Sequence, residues 1–208
     1  RAAPTPRPVS NPPARVGQGG PDQELGVLDV SSTYHVPLLL EAQGMIRFFE
    51  QRLHLDLLPD VPPARVADGW ELRRRWKVLT LNQERVFETV EIVLVGKYTA
   101  LQDSYMSVVK ALEHASMQCQ RKLVLKWVEA SDLESHTEHE DPVRYHQAWQ
   151  HLCSSRGIIV PGGFGQRGTE GMILAVRWER VKKITFLGIC LGFQNAVIEF
   201  RRPVLCII

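Results

Sequence analysis

The chain has 208 residues, of which 44% are hydrophobic and 23% charged, and its 25 basic and 23 acidic side chains give a formal net charge of +2. These values are typical of one good-sized globular domain, or of a domain with part of a second, and they exclude wholesale disorder, collagen and coiled coil. A net charge this small is not the electrostatic signature of a protein that binds nucleic acid or an anionic membrane. The apolar stretches of the sequence fall far short of the roughly 18 residues that a membrane helix needs.

The first residues of the chain predict a disordered tail over 1–26. Residues 1–21 contain six prolines and three glycines and almost no large apolar side chain. Such a segment cannot bury enough apolar surface to offset the entropy lost on ordering. The segment also lacks the features of a secretory signal peptide, and the chain begins at Arg1 rather than at methionine, which favours a fragment or a processed product.

A helical region followed by a linker is predicted next. Ile46, Phe49 and Leu53 recur at helical spacing within 41–55, which predicts one amphipathic helix whose apolar face needs a partner. Three prolines then interrupt the pattern, and we interpret residues 59–88 as a linker. Within that linker, residues 70–85 combine two tryptophans with a basic run, which predicts a solvated, amphipathic connecting helix.

From residue 89 onward, strands alternate with helices. The predicted strands are 90–95, 123–128, 157–160 and 184–189, and the predicted helices are 103–118, 142–152, 169–182 and 191–201. Asp103 or Ser104 would cap the first of these helices, and Asp141 precedes a proline that opens the second. Val143, Trp149 and Leu152 would form the buried side of that second helix, and residues 204–208 look like a further strand. This alternation predicts an α/β domain with a parallel sheet flanked by helices.

Two glycine-rich turns at strand ends carry the candidate chemistry. Gly188-Ile189-Cys190-Leu191-Gly192 joins a strand directly to a helix, as in the G-x-nucleophile-x-G elbow that exposes a reactive side chain. Pro161-Gly162-Gly163-Phe164-Gly165 follows the preceding strand, where backbone N–H groups could stabilise an oxyanion. Both turns should face the crevice at the carboxyl ends of the strands. The pattern therefore predicts a cysteine nucleophile at Cys190.

The cysteine content fits that interpretation. None of the four cysteines, Cys119, Cys153, Cys190 and Cys206, forms a C-x-x-C pair. A chain of this length can stabilise its core without disulfides, so we expect reduced thiols and a cytoplasmic protein. No metal site is expected.

Together with their surroundings, these motifs resemble the class I glutamine amidotransferases, and more narrowly the CTP synthase family. The resemblance extends over roughly residues 27–205, and the segments that carry it are 95–99, 103–105, 107–114, 142–146, 160–165, 167–171 and 186–192. Upstream, residues 29–41 resemble the end of that family's synthetase (amidoligase) domain. The resemblance implies a flavodoxin-like fold, incomplete at the C-terminus, with a synthetase tail over 27–58 and a partial amidotransferase domain over 89–208.

The resemblance also implies roles for individual residues. Cys190 matches the nucleophile that forms a glutamyl thioester. The positions that match glutamine or oxyanion contacts are Gly163, Leu191, Gly192, Phe193 and Gln194. The positions that match a region implicated in GTP activation and lid movement are Lys97, Phe164, Arg167, Gly168 and Glu170.

The family makes CTP from UTP, ATP and glutamine, so the implied partners are glutamine, GTP as an activator, and the rest of a homo-oligomeric CTP synthase. No cofactor is expected in this chain, whereas the full enzyme would use ATP and Mg²⁺.

Some expected catalytic parts are missing from the sequence. A cysteine nucleophile needs a histidine base held by a carboxylate, and none of the seven histidines follows Cys190. His146 and His151 precede the PGGFG strand and are expected to be surface or structural residues. Two positions also depart from the family pattern: Phe193 replaces a methionine and could crowd the substrate, and Asn195 replaces an apolar residue.

Three hypotheses follow. The first is that the chain is a piece of a CTP synthase that is inactive alone. The second is that it is a catalytically dead module or degraded copy that binds the intact enzyme through the 41–55 helix. A peptidase with a cysteine elbow is disfavoured by the synthetase-like segment upstream.

Overall fold

The computed structural model describes residues 25–26, 29–57 and 60–205, without the side chains of Asp56 and residues 203–205. The chain divides into two compact units between Arg85 and Val86. Most of the predicted tail over 1–26, Cys206 and parts of the 27–58 segment lie outside the described residues. The domain bounds proposed from the sequence therefore stay predictions.

The described part of the first unit contains three α-helices. They are α1 (Val36–Ala42), α2 (Met45–Arg52) and α3 (Pro63–Gln83), with 3-10 turns at Thr33–His35 and Leu55–Leu57. The prediction of one helix over 41–55 is wrong, because Gly44 adopts a left-handed φ of +87° between α1 and α2. A right-handed helix cannot continue through that conformation. The apolar side chains predicted to need a partner remain exposed in the described structure, with Ile46 at 51%, Phe49 at 44% and Leu53 at 61%.

Helix α3 includes residues 70–83 of the connecting helix predicted over 70–85, and it begins seven residues earlier. Pro63 occupies its first turn, where a proline costs no intrahelical hydrogen bond. The prediction that this helix is amphipathic is wrong, because exposed apolar residues lie on several sides of it, at positions 66, 70, 72, 78, 79 and 81. Within this unit, the Trp76 Nε1–H donates to the Tyr34 carbonyl at 2.9 Å, and Arg73 pairs with Glu41 at 2.6 Å.

The second unit is a parallel sheet flanked by helices, as the sequence predicts. Its strands are β1 (Thr89–Gly96), β2 (Lys122–Glu129), β3 (Gly157–Val160) and β4 (Thr185–Gly188), in the order β2-β1-β3-β4. Every pairing among them is parallel. The α-helices are α4 (Met106–Gln118), α5 (Ser135–Glu140), α6 (Pro142–Ser154), α7 (Thr169–Lys182) and α8 (Leu191–Leu205). This strand order is that of flavodoxin-like folds.

The strand order explains which face each helix covers. The chain moves one way along the sheet from β1 to β2 and the other way from β2 to β3 and β4, so right-handed crossovers place helices on opposite faces. Accordingly, Leu94 and Ile159 pack with the apolar side of α4, whereas Val93, Val95 and Val160 pack with α6, α7 and α8. On the latter face, Trp149 of α6 and Trp178 of α7 meet edge to face, with ring centroids 5.7 Å apart.

Several local predictions of helix ends and helix faces are confirmed. Helix α7 has the predicted bounds, and the Asp141 carboxylate caps α6 by accepting from the Arg144 N–H at 3.1 Å. Trp149 is partly buried and Leu152 fully buried, as expected. Among the described residues, no helix combines the length and apolar character needed to cross a membrane.

Other local predictions are wrong for identifiable reasons. Asp103 and Ser104 do not cap a helix, because they lie in a 3-10 turn at Gln102–Tyr105 and α4 begins at Met106. Val143 is 65% exposed rather than buried. It lies nine residues before Leu152, which at about 100° per residue places it on the opposite side of α6. The strand over 204–208 is also wrong as far as the structure describes it, since residues 204 and 205 continue α8.

Candidate active site

Cys190 lies at the turn that joins β4 to α8. Its backbone has a φ of +52°, a left-handed conformation that non-glycine residues seldom adopt. The Ile189 N–H donates to the Val160 carbonyl at 2.9 Å, and the Gln194 N–H donates to the Cys190 carbonyl at 3.1 Å. The thiol is therefore at the first turn of a helix, and it is exposed. The positive φ at a non-glycine residue between β4 and α8 confirms the backbone conformation of the predicted strand-to-helix elbow.

Glycines flank the elbow because other residues would not fit. A Cβ at Gly192 would lie 1.9 Å from the Val160 carbonyl oxygen, and a Cβ at Gly188 would lie 2.8 Å from the Gly192 carbonyl carbon. Real Cβ contacts are essentially never shorter than about 3 Å, so both positions require glycine, which has no Cβ. The close approach holds α8 against the end of β3.

The 161–168 loop, which follows β3, reaches the same place. A Cβ at Gly162 would lie 3.3 Å from the Cys190 Cβ and 3.7 Å from its Sγ, so this backbone runs beside the thiol. Leu191 is the first residue of α8, and its N–H belongs to the helix-end donors that have no partner within the helix. The structure thus brings the two glycine-rich motifs together at the carboxyl ends of β3 and β4.

Lys97 follows β1 and packs beneath this loop. It is 1% exposed, and a Cβ at Gly163 would lie 3.1 Å from the Lys97 Cδ. The Lys97 ammonium donates to the Gly165 carbonyl, and to the Thr169 Oγ1 at 2.9 Å. Burial lowers the pKa of Lys97, and the nearby Arg167 guanidinium lowers it further, while Glu134 acts in the opposite direction.

Arg167 and Glu129 tie the loop to the ends of β1 and β2. The Arg167 guanidinium donates to the Lys97 carbonyl and pairs with Glu129. Glu129 also accepts from the Thr99 hydroxyl at 2.6 Å. These groups line an open cavity of about 610 Å³ together with Trp127, Asp132 and Arg144. The described residues include no group of three or more His, Cys, Asp or Glu side chains arranged to hold a metal ion.

The remaining predicted site residues fall into different surroundings. Phe164 is 89% exposed and Phe193 62% exposed, whereas Leu191 packs against the core. Gly168 has a φ of +72° at the start of α7. Glu170 pairs bidentately with Arg202 of α8 at 2.7 and 2.8 Å, and this hydrogen bonding lowers the pKa of Glu170. Its carboxylate is thus held by α8.

Three predicted residues on helices also have defined positions. His146 and His151 lie on α6, the former exposed and the latter partly buried. Asn195 is 0% exposed on α8; its Nδ2 contacts the Met172 Sδ at 3.4 Å, and its Oδ1 has no hydrogen-bond partner among the described residues. This polar residue in place of an apolar one is thus buried in the core with its amide oxygen unpaired.

Sequence reasoning missed four residues that hold the loop. Tyr98 accepts the Phe164 N–H at its hydroxyl oxygen at 3.0 Å, and Thr169 contributes its hydroxyl to Lys97. Glu129, at the end of β2, pairs with Arg167, and Thr99 donates its hydroxyl to Glu129. Their positions at or just after the ends of strands could have indicated them, because residues that follow parallel strands gather at one edge of the sheet.

The strain at Cys190 leads to a stability prediction. The free energy of unfolding of Cys190→Gly should exceed that of Cys190→Ala by about 1 kcal/mol, because glycine adopts a positive φ without the clash that a Cβ causes. Urea denaturation of the two variants measures the difference. Cys153, inside α6, is the matched control: there Cys153→Ala should be the more stable of the pair, by about 1 kcal/mol. Equal stability of the two Cys190 variants would show that the elbow relaxes.

A family profile and individual relatives match the chain. The profile described as glutamine amidotransferase class-I matches residues 100–206. CTP synthase 1 of Saccharomyces cerevisiae is 54% identical over 186 residues, which cover 89% of this chain and 32% of the relative. Human CTP synthase 1 is 51% identical over 185 residues, covering 89% and 30% respectively. The chain thus spans about a third of the length of these curated relatives.

A solved structure is also similar. It is described as the Trypanosoma brucei CTPS glutaminase domain with bound acivicin. The alignment has a TM-score of 0.47 and 39% sequence identity, and it covers 56% of this chain and 42% of that one.

Proposed function

The chain belongs to the class I glutamine amidotransferase family, and we propose on that basis that it carries the cysteine side of the glutaminase site of a CTP synthase. The observation that carries the proposal is the position of Cys190. Its exposed thiol stands at a left-handed elbow, beside the glycine backbone that follows β3. The N-terminal N–H groups of α8 follow the thiol directly, where they stabilise negative charge that develops during the reaction.

The proposed reaction is nucleophilic substitution at the glutamine side chain. The Cys190 thiolate attacks the amide carbon, and the carbonyl oxygen takes up the negative charge. Backbone N–H groups at Gly163 and Leu191 would donate to that oxygen, an arrangement typically contributing about 3 kcal/mol to transition-state stabilisation. The C–N bond then breaks, ammonia leaves after taking up a proton, and a glutamyl thioester remains. Water hydrolyses the thioester to glutamate and restores the thiol.

Proton transfer in this scheme needs a histidine base, and none of the histidines in these 208 residues follows Cys190. We therefore propose that the histidine and its carboxylate come from outside these residues, and that the chain alone turns over little or no glutamine. In the full enzyme, ammonia would replace an oxygen of UTP, and the ATP- and Mg²⁺-dependent activation would take place in the synthetase part. Such an enzyme would act in the cytoplasm as a homo-oligomer.

The cavity beside the loop supports a further part of the proposal. GTP would act as an activator near Lys97, Arg167 and the residues from Phe164 to Glu170. The cavity of about 610 Å³ is lined by Trp127 and by two arginines, Arg144 and Arg167, which pair with Asp132 and Glu129 in the same lining. Basic groups and an aromatic surface are suited to a nucleotide.

The first test is covalent labelling by acivicin, a glutamine analogue whose chlorine a thiolate displaces. Attack by Cys190 would form a C–S bond as the C–Cl bond breaks and chloride leaves. We expect intact-mass and peptide analysis of the 208-residue chain to place one adduct on Cys190, lost in Cys190→Ala. Labelling of Cys190 no faster than that of the exposed Cys119 and Cys153 would contradict the proposed site.

Ammonia release from glutamine, measured on the same two proteins, tests the inactivity of the isolated chain. We expect no turnover above background. Turnover that disappears in Cys190→Ala would instead mean that a base within these residues completes the site.

A second candidate function is that of a catalytically dead module or degraded copy that binds intact CTP synthase. The exposed apolar side chains of Ile46, Phe49 and Leu53 on α2 and its C-terminal turn favour it. Co-elution of the chain with purified yeast CTP synthase 1, lost in Phe49→Asp but kept in Cys190→Ala, would support this function. Independent elution would contradict it.

A further inference from the structure

Lys97 stands out among the buried groups because no acidic side chain of the described residues forms an ion pair with its ammonium. Its side chain is 1% exposed, and its ammonium bonds to a carbonyl and a hydroxyl, those of Gly165 and Thr169. Burying an ammonium is costly unless neutral acceptors or charges compensate it. A buried lysine whose ammonium bonds to two neutral acceptors, one in the loop and one at the start of the helix that follows it, indicates that the conformation of that loop matters.

The contacts of Lys97 involve the part of the loop that approaches the thiol. The aliphatic stem lies under Gly163, where a built Cβ would be 3.1, 3.5 and 3.6 Å from Cδ, Cγ and Cε. The ammonium binds the loop two residues later, at Gly165. Between these two points, the Phe164 N–H donates to the Tyr98 hydroxyl at 3.0 Å. Consecutive residues at the end of β1 therefore hold consecutive residues of the loop.

Lys97 is itself fixed from the other side. Its N–H donates to the Tyr105 hydroxyl at 3.0 Å, and its carbonyl accepts from Arg167. Tyr105 is 5% exposed and packs in the core beside Leu94. The lysine thus connects a rigid strand end to a loop of glycines, which would otherwise sample many backbone conformations.

We propose that Lys97 is a positioning residue that fixes the backbone of residues 162–165 against the Cys190 thiol, so that the loop N–H groups meet the developing oxyanion. This inference rests on the proposed function. It assigns Lys97 a role within the glutaminase site, separate from any contact with an activator. A displacement of about 1 Å at such a site can cost about a hundredfold in rate.

Hydrogen exchange of the loop amides tests the inference without any glutamine chemistry. In Lys97→Met, which keeps the apolar stem and removes the ammonium, the Phe164 amide, whose N–H donates to the Tyr98 hydroxyl at 3.0 Å, should exchange about 10- to 100-fold faster than in the wild type. The matched control is Lys126→Met. Lys126 also makes two hydrogen bonds, to Glu91 at 2.9 Å and Ser154 at 3.0 Å, but neither partner lies in the loop. Unchanged exchange of the Phe164 amide in Lys97→Met would overturn the inference.

Labelling rates at Cys190 separate positioning from general loss of structure. Lys97→Met should slow labelling by acivicin about 10- to 100-fold, while labelling by iodoacetamide, which needs no oxyanion site, stays within about twofold. Equal slowing with both reagents, or faster reaction with iodoacetamide, would contradict a positioning role.

A second variant covers the case in which Lys97→Met does not fold. Thr169→Val removes one acceptor of the ammonium and keeps the shape of the side chain, so exchange of the Phe164 amide should rise by a smaller factor, about three- to tenfold. No rise would overturn the inference. A wild-type chain that acivicin does not label would contradict the proposed function, while the exchange rates would still decide whether Lys97 holds the loop.

Discussion

Gly192→Ala is expected to destabilise the second unit by more than about 3 kcal/mol, because the new methyl group cannot be accommodated. Its Cβ would lie 1.9 Å from the Val160 carbonyl oxygen and 3.0 Å from the Val160 Cβ. Val160 is fully buried, and its carbonyl already accepts the Ile189 N–H at 2.9 Å. Any shift that relieves the clash therefore breaks the junction between β4 and α8. Urea denaturation followed by circular dichroism at 222 nm measures the loss.

Two further glycines make this test specific. Gly171→Ala should be comparably destabilising, since its Cβ would lie 1.7 Å from the Ala130 carbonyl oxygen. Gly69→Ala, in α3, meets no atom within 4 Å and should stabilise its helix by about 1 kcal/mol. A Gly192→Ala chain that unfolds at the wild-type urea concentration would show that the elbow is not close-packed.

Asn195→Val is expected to stabilise the chain by about 1–2 kcal/mol, whereas Asn195→Asp should destabilise it by about 3 kcal/mol or more. Asn195 is fully buried, and its Oδ1 has no hydrogen-bond partner among the described residues. Valine removes this unpaired group at similar volume, while aspartate places a charge in the same apolar surroundings.

Urea denaturation at pH 7 compares the two Asn195 variants with the wild type. The opposite sign for the two substitutions is the decisive feature, because aspartate has the shape of asparagine and a simple packing effect would change only the valine variant. A destabilised Asn195→Val would mean that the amide contributes more through its contact with the Met172 sulfur than it costs.

The sheet and its helices could be predicted from the sequence because their signals are local. The continuous apolar run at Gly157–Val160 indicates a strand buried on both faces. The bounds of the helix at Thr169–Lys182 could likewise be predicted from the residues of that segment alone. Helix faces were less predictable: Val143 is apolar but half a turn out of phase with Leu152. The break at Gly44 was missed because the apolar spacing continues across it.

The site was predictable in part for the same reason. Cys190 and Gly163 belong to short motifs that end strands, so their proximity follows from a parallel sheet. The bond from Lys97 to Gly165 spans 68 residues and joins a side chain to a backbone carbonyl. No composition or periodicity indicates such a contact, and only the folded arrangement reveals that the lysine is buried.

The edge-to-face pair of Trp149 and Trp178 gives the second unit an intrinsic optical reporter. The indole rings are 5.7 Å apart and inclined by 76°, and the Lys182 ammonium lies 5.0 Å from the Trp178 ring. Electronic transitions of two indoles held this close couple, and the coupling produces a circular dichroism signal in the near ultraviolet that a disordered pair lacks. Because the rings belong to α6 and α7, this signal should appear only when both helices have docked on the same face of the sheet. Assembly of that face could thus be followed without an attached label.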